Sequence, residues 1–439
     1  MTTTSHPYRA PGRRRLGAAA LGAVGALVLS GCGDTDAGAA PTLTWYINPD
    51  AGGQAELAAR CSEESGGRYK IEAALLPRDA AGQREQLARR LAAGDRSMDI
   101  MSLDPPFIPE LAEPGFLAPV PADVEEATTQ DVLSGPLEGA MWGDELVSVP
   151  FWANTQLLWY RKSVAEAAGL DMDEPVTWQQ IMDAAREQDK HLGVQGTSAE
   201  SMTVWVNGLI KSAGGEIIEN PEAPADEIVI GMDSEAATKA AEIVGTIGRD
   251  GLGGPGLPTS DEGSTMAQFQ SDSGSFMVNW PFIYAATAAA VEGGSVEQEM
   301  FDDIGWALWP RVNADEPSAP PLGGINLGVG STSEHQDLAW EAVECIVQPE
   351  NQAYYFVTNG NPAASEAAYE DPEVQETFPM YETIRESLEQ AAPRPQTPYY
   401  NEVSTAIQQE WTPPASVTEN TPRETAEFIE AVLKGEKLL

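Results

Sequence analysis

Short polar side chains and aromatic rings border several apolar runs of this sequence, where they could bind a ligand. In open α/β sheets the ligand lies outside the carboxyl ends of the strands, so residues beside the end of each apolar run are candidates. Carboxylates and amides hydrogen-bond paired hydroxyls, and an indole lies well against the apolar face of a sugar ring. The pattern predicts a site for a neutral, hydroxyl-rich ligand. The candidates are Asn48, Asp50, Asp104, Trp152, Asn154, Asn279, Trp280 and Gly323-Gly324.

The same sequence offers little for catalysis. Neither His191 nor His335 has a second histidine at metal-ligand spacing, so a zinc site or a Ser-His-Asp mechanism has few residues to use. The chain contains neither a G-x-S-x-G nucleophile elbow nor a P-loop. We therefore predict no catalytic residue, no metal site and no cofactor. A secreted carbohydrate-active enzyme stays the alternative, because 68 acidic residues supply many paired carboxylates.

The charge balance is strongly acidic. The chain has 25 lysines and arginines against 68 aspartates and glutamates, a formal net charge of −43. Phosphate binding needs a basic surface, so nucleic acid is excluded as a partner. Hydrophobic residues still make up 42% of the 439 residues. A chain of this length and composition favours two lobes, each with a packed core.

The first residues carry an export pattern. Three arginines at positions 13–15 precede an uncharged stretch that ends in Leu29-Ser30-Gly31-Cys32. The pattern resembles a bacterial lipoprotein signal, which implies that residues 1–31 are removed and that Cys32 carries a lipid. Residues 32–41, rich in alanine and glycine, are expected to form a flexible tether. We expect the mature protein at the outer face of the cytoplasmic membrane, anchored by its lipid.

Two cysteines remain besides Cys32. Cys61 and Cys345 each fall on the apolar face of a predicted helix, so both thiols are expected to face the protein interior. In an oxidising compartment such a pair predicts a disulfide. Two separate buried thiols are the alternative.

Short β-rich runs alternate with longer amphipathic helices after the tether. Alternation of this kind indicates βαβ units on mainly parallel sheets, and hence an α/β fold. The predicted strands cover residues 43–47, 69–75, 99–103, 156–160, 274–280 and 304–309, and the predicted helices cover 54–65, 81–93, 177–188, 202–213, 234–248, 336–347, 381–390 and 421–434.

Five segments carry a more specific resemblance. They are residues 45–50, residues 99–104 with Gly115-Phe116-Leu117, residues 150–160, residues 276–281 and Gly323-Gly324-Ile325. In this order they resemble the maltose-binding protein family, the extracellular solute-binding subunits of carbohydrate ABC importers. Residues 393–403 are most similar to those of actinobacterial trehalose-binding lipoproteins. The resemblance implies a two-lobed, periplasmic-binding-protein-like (type II) fold, in which each lobe is a mainly parallel sheet flanked by helices and the ligand lies in the interlobe cleft.

The family resemblance also assigns roles by position. Asn154 stands where maltose-binding relatives usually have a carboxylate, which argues against a preference for maltodextrin. Arg394 leaves an anionic ligand open. The resemblance makes Asp50 and Asp104 hydroxyl acceptors with Asn48 and Gln83 as helpers, Asn154 a residue at the first crossover, Trp280 the stacking ring, Gly324 a backbone contact, Arg394 a donor to hydroxyls and Tyr399 an aromatic of the site.

Lobe boundaries and partners follow from the same resemblance. We expect an N-terminal lobe of residues 42–152 plus 311–346 and a C-terminal lobe of residues 153–310 plus 347–439. The implied protein is a monomer that captures a neutral disaccharide, trehalose first and maltose, maltodextrin or another oligosaccharide as alternatives. It would deliver this sugar to ABC permease subunits that work with a cytoplasmic ATPase.

Overall fold

The computed structural model describes residues 40–439. The predicted signal at residues 1–31, the predicted lipid attachment at Cys32 and the predicted tether up to residue 39 lie outside these residues. In the described part of the chain, no helix has both the length and the apolar character that crossing a membrane requires.

Two mixed sheets form the framework of the described residues. Sheet 1 has the strand order β2-β1-β3-β11-β6, sheet 2 has the order β10-β7-β9-β8, and β4 pairs with β5 in a separate hairpin. The strands are β1 Thr42–Ile47, β2 Lys70–Leu75, β3 Ile100–Leu103, β4 Met141–Trp142, β5 Glu145–Leu146, β6 Val149–Thr155, β7 Leu157–Arg161, β8 His191–Gly193, β9 Gly274–Asn279, β10 Ile304–Ala307 and β11 Leu322–Val329.

Each sheet contains one strand that runs against the others. In sheet 1, β1 is parallel to β2 and β3, whereas β11 is antiparallel to both β3 and β6. In sheet 2, β8 and β9 are parallel, whereas β7 is antiparallel to both β9 and β10. The predicted α/β fold with mainly parallel sheets is confirmed.

Helices occupy most of the remaining chain and pack against these sheets. Four short 3-10 helices lie at Pro105–Phe107, Leu257–Thr259, Ala367–Glu370 and Pro414–Ser416. The α-helices are α1 Gly53–Glu64, α2 Ala80–Ala92, α3 Ile108–Ala112, α4 Ala122–Thr129, α5 Ser134–Glu138, α6 Lys162–Ala168, α7 Trp178–Glu187, α8 Glu200–Ser212, α9 Glu235–Arg249, α10 Glu262–Phe269, α11 Phe282–Glu292, α12 Gln298–Asp302, α13 Gln336–Ile346, α14 Pro349–Asn359, α15 Pro372–Thr377, α16 Tyr381–Gln390, α17 Tyr400–Glu410 and α18 Thr421–Leu433.

Local sequence explains several element boundaries. The Thr177 side chain accepts a hydrogen bond from the backbone of Gln180, whose own side chain returns to Thr177, so a capping box starts α7. Ser234 caps α9 with its side chain, which accepts a hydrogen bond from the backbone N–H of Ala237. Strand β9 is buried at every position, as expected for an interior strand covered on both faces.

The chain passes between the sheets at two described places. Strand β6 of sheet 1 ends at Thr155 and β7 of sheet 2 begins at Leu157, so Gln156 alone separates them. Residues 308–321 lead back from β10 to β11. The first segment of the N-terminal lobe was predicted to end at position 152. Residues 153–155 of β6 also pair with β11, so sheet 1 extends three residues further. Helix α14, within the segment predicted for the C-terminal lobe, contacts α1 beside sheet 1. The lobe boundaries themselves stay a prediction.

A disulfide joins two helices beside sheet 1. Cys61 of α1 and Cys345 of α13 are bonded, with their Cα atoms 5.9 Å apart. Both helices pack against a core that includes Trp45, Phe151 and Val329. The bond therefore links the start of the described chain to the segment that returns from sheet 2.

Candidate functional site

A cleft of about 570 Å³ is lined by strand residues of sheet 1 and by residues that flank sheet 2. Small-molecule sites usually measure roughly 300–1,000 Å³. Asn48 and Asp104 follow β1 and β3 of sheet 1, and Trp280 follows β9 of sheet 2, so strand carboxyl ends meet at the cleft. Helices α2, α8 and α17 supply further lining residues. This is the arrangement that the strand-end rule predicts.

The structure brings seven of the nine predicted ligand-binding residues together here. They are Asn48, Gln83, Asp104, Asn154, Trp280, Gly324 and Arg394. Asp50 and Tyr399 do not line the cleft.

Asp50 caps a helix. Its two carboxylate oxygens accept hydrogen bonds from the backbone N–H groups of Gly52 and Gln54, at 2.9 and 2.8 Å. These are N–H groups at the start of α1 that have no partner within the helix. The carboxylate predicted to accept ligand hydroxyls is thus committed to the backbone.

Tyr399 lies one position before a tyrosine that packs behind the cleft. Its hydroxyl accepts the backbone N–H of Ala225 at 3.2 Å. The next residue, Tyr400, is buried, donates its hydroxyl to Glu200 and packs its ring edge-on against Phe107, with centroids 5.3 Å apart. Tyr400 therefore supports the cleft from behind, whereas Tyr399 fixes a neighbouring loop.

Arg394 lies at the centre of a buried ion triad. Its guanidinium donates to Asp104 Oδ1 at 2.7 Å and to Glu200 Oε1 at 2.6 Å, and its side chain is 5% exposed. Glu200 also accepts the Ser404 hydroxyl at 2.7 Å. Asp104 follows β3 of sheet 1, whereas Glu200 begins α8, which packs with sheet 2 residues in one core. The triad therefore bridges the two sides of the cleft.

The opposite charges of the triad act against the effect of burial on each other's pKa. Burial lowers the pKa of Arg394, but the carboxylates of Asp104 and Glu200 outweigh it and hold that pKa well above its usual range. Burial raises the pKa of Asp104, with the Arg394 charge acting the other way. One cation thus serves two carboxylates, and its charge is already matched. Arg394 is therefore not available as an unpaired cation for an anionic ligand.

An amide pair prepares one hydrogen-bond acceptor. Asn48 Nδ2 donates to Gln83 Oε1 at 3.0 Å, while Gln83 Nε2 donates to the carbonyl of Pro77 at 2.9 Å. This orientation leaves Asn48 Oδ1 buried without a protein partner among the described residues. Buried polar atoms are rarely left unpaired, so this oxygen is a candidate acceptor for a ligand hydroxyl.

The aromatic wall depends on two glycines. A Cβ on Gly323 would lie 3.2 Å from the Trp280 indole, and a Cβ on Gly324 would lie 2.4 Å from the carbonyl oxygen of Trp152. Gly324 also has φ +122°, which side chains other than glycine's rarely adopt. The glycine pair lets both tryptophans approach β11 closely. Trp152 Nε1 is buried without a protein partner in the described part, which makes it a candidate donor.

Glu262 stands beside Trp280 on the sheet 2 side. It is the first residue of α10, and its carbonyl accepts the Asn279 side-chain N–H at 3.0 Å. Burial raises the pKa of its carboxyl, Asp261 adds to the rise, and hydrogen bonds from the backbone and the Trp280 indole act the other way. No cation contributes to that pKa. Glu262 is therefore a carboxylate of the cleft without a positive partner among the described residues.

Sequence reasoning missed Glu200, Glu262 and the α17 residues of the lining. Glu200 and Glu262 begin helices rather than follow strands, so the strand-end rule did not reach them. Acidic residues are common in first helical turns because the helix dipole favours them, and that pattern alone signals no site. In residues 40–439 no group of three or more His, Cys, Asp or Glu side chains is arranged to hold a metal.

Comparisons with known proteins add the family. The sequence model of the bacterial extracellular solute-binding protein family matches residues 69–353. A probable ABC transporter-binding protein of Deinococcus radiodurans is 26% identical over 282 residues, 60% of this chain and 63% of that protein. A mannitol-binding protein of Pseudomonas aeruginosa is 23% identical over 266 residues, 58% of this chain and 57% of that protein. The chain thus spans less than two thirds of the length of these curated relatives.

Solved structures agree in fold. The maltose-bound MalE3 of T. maritima has a TM-score of 0.75 and 23% identity, and the match covers 90% of this chain and 100% of that one. At this identity the likeness establishes the two-lobed architecture and not the ligand. Since the family's sequence model matches well over half of the residues, the chain belongs to the bacterial extracellular solute-binding proteins.

Proposed function

We propose that this protein is the lipid-anchored substrate-binding subunit of a sugar ABC importer and that it captures a disaccharide, trehalose first. The observation that carries the proposal is the cleft itself, whose lining holds the Trp280 indole and three residues with unpartnered polar atoms. Asn48 Oδ1 is a free acceptor, and Trp152 Nε1 and Arg394 Nε are free donors among the described residues. A hydroxyl group both donates and accepts hydrogen bonds, so a hydroxyl-rich ligand matches both the acceptor and the donors.

Capture works through differential affinity. Residues 156 and 308–321 connect the sheets, and parallel connections of this kind permit a hinge motion. A sugar that contacts Asp104 on one side and Trp280 on the other is bound by both sides only when the cleft is closed. Binding therefore shifts the population toward the closed form, and this form is the signal for a membrane permease.

A neutral ligand suits the charges of the cleft better than an anionic one. Arg394 is already paired with Asp104 and Glu200, so the cation of the lining that is left for a phosphate or carboxylate is Arg78, which is exposed to solvent. Trehalose is our first candidate because of the resemblance in residues 393–403. Maltose is the next, since the MalE3 structure named above contains it.

Calorimetric titration tests the proposal. The full chain with Cys32→Ser, which prevents lipid attachment, is titrated with trehalose, maltose and mannitol. We expect saturable heat with at least one disaccharide and a dissociation constant in the micromolar range or below. No heat with any saccharide would contradict the proposal. Prolonged incubation with the sugar that binds distinguishes the rival enzyme, because an enzyme would accumulate product.

A further inference from the structure

We propose that Glu200 is a positioning residue of the sugar site, which acts on the ligand through Arg394 rather than by a contact of its own. The inference rests on the proposed function and deepens it, because it assigns sugar affinity to a side chain that sequence reasoning missed. Glu200 is the first residue of α8 and belongs to the cleft lining. Its carboxylate, however, is used mainly by donors of the protein.

Three side chains donate to the Glu200 carboxylate. Arg394 Nη1 donates to Oε1 at 2.6 Å, the Tyr400 hydroxyl donates to the same oxygen, and the Ser404 hydroxyl donates to Oε2 at 2.7 Å. A carboxylate has about four acceptor positions, so little capacity is left for sugar hydroxyls. Glu200 is therefore committed to protein groups, as Asp50 is, although it borders the cleft.

Helix α17 fixes the orientation of Glu200. Tyr400, Ser404 and Gln408 are spaced four residues apart, so they lie on one face of this helix. Gln408 Nε2 donates to Ser404 Oγ at 2.9 Å, and Thr203 Oγ1, one turn along α8, lies 2.9 Å from the same oxygen. A further layer of hydrogen bonds thus holds a donor of Glu200 in place, which gives the carboxylate a defined position.

Helix α8 holds the segment of Arg394 at two points. Asn207 Nδ2 donates to the carbonyl of Pro393 at 3.2 Å, and Glu200 accepts from the guanidinium. Since Asn207 and Glu200 both belong to α8, the backbone and the side chain here are tied to the same helix. Asp104, on the other side of the cleft, meets the second terminal nitrogen, Nη2, at 2.7 Å. Glu200 therefore sets where the guanidinium stands when the two sides close on a sugar.

Fixing the guanidinium has a consequence for affinity. An arginine side chain has many rotamers, and ordering them during binding costs free energy. A guanidinium that the protein itself holds avoids part of this cost. Loss of the Glu200 carboxylate is therefore expected to weaken sugar binding only while Arg394 is present.

A double-mutant cycle separates this role from a direct contact. Titration calorimetry gives the sugar affinity of the Cys32→Ser chain and of Glu200→Gln, Arg394→Met and the double variant made in that chain. We expect Glu200→Gln to weaken binding by about tenfold when Arg394 is present and by less than about twofold in the Arg394→Met background.

The cycle has two contrary outcomes. Equal losses in both backgrounds would mean that Glu200 binds the sugar itself or supports the fold in general, so the inference would fall while the proposed function stands. If the Cys32→Ser chain binds no sugar, both fall together.

Tyr400→Phe tests the same role without a change of charge, and it decides the question if Arg394→Met no longer binds sugar. Tyr400 lies outside the cleft lining, and the variant removes one donor to Glu200 while the ring stays against Phe107. We expect sugar binding to weaken by about threefold. Tyr369→Phe is the matched control, because Tyr369 is also buried and outside the lining, and its hydroxyl donates to the carbonyl of Ala363 at 3.0 Å. Affinity that is unchanged in Tyr400→Phe, or equally reduced in the control, would overturn the inference.

Discussion

The two ends of the cleft handle buried charge in opposite ways. Around Arg394, one guanidinium serves Asp104 and Glu200, and Tyr400 and Ser404 donate further hydrogen bonds to Glu200. Around Trp280, Glu262 has no cation. The cation of the first end is paired within the protein, whereas the carboxylate of the second end has no positive partner among the described residues. The contrast teaches that one cavity can hold both an internally paired ion network and a carboxylate left without a cation.

The sharpest way to break this contrast is Arg394→Ala. The change leaves two partly buried carboxylates, 19% and 24% exposed, without their cation, so we expect the free energy of unfolding to fall by about 3 kcal/mol, the low end for a broken buried pair. Urea denaturation measures it. Arg423→Ala is the control, because Arg423 forms an exposed pair with Glu427, and such pairs contribute about 0–1 kcal/mol. Similar losses in both variants would mean that the triad adds no stability beyond that of a surface pair.

Trp280→Ala tests the other end. Loss of the stacking ring is expected to weaken disaccharide binding by about 2 kcal/mol, close to thirtyfold in the dissociation constant. Titration calorimetry reads this change. Trp142→Ala, in the β4-β5 hairpin and outside the cleft lining, is expected to leave the dissociation constant as it is. Equal affinity in the two variants would remove Trp280 from the site.

Glu262→Gln is expected to change the free energy of unfolding in the direction opposite to Arg394→Ala. Removing a carboxylate that lacks a cation is expected to raise the free energy of unfolding by about 1 kcal/mol at neutral pH. Burial raises the pKa of Glu262 in the folded state, so the folded protein binds the proton more readily and the native side chain costs stability as pH rises through that pKa. The gain from glutamine therefore fades in acid. A gain that persists in acid would contradict this account.

Gly323→Ala carries the smallest expected effect. The new Cβ would lie 3.2 Å from the indole of Trp280, so the ring must shift slightly and sugar affinity is expected to fall by about threefold, or 0.6 kcal/mol. Gly256→Ala is the control, because nothing lies within 4 Å of its added Cβ. An affinity change of the same size in both variants would mean that the indole does not need the space at Gly323.

Much of the site was readable from the sequence because apolar runs reveal where strands end. Asn48, Asp104 and Trp280 each follow such a run, and all three line the cleft. Asp50 follows the same run as Asn48 but precedes a helix, whose free N–H groups claim its carboxylate. Local sequence does not determine whether such a carboxylate lines the cleft or caps the following helix.

Other parts depend on long-range packing. The proline-rich stretch before Tyr399 and Tyr400 has no period that tells which ring faces inward. Strand β11 contains three glycines and was not predicted, although its pairing with both β3 and β6 places it inside sheet 1. Glu200 meets Arg394 across 194 positions of chain. Contacts of this separation are set by the assembled fold rather than by neighbouring residues.

The disulfide between α1 and α13 has a consequence for survival outside the cell. Its two cysteines are separated by 284 positions, and β2 through β11 lie between them. A protease that cuts once within this stretch produces two chains that stay covalently joined. A nicked molecule therefore keeps all of its pieces, and its fragments separate on a gel only after a reductant is added.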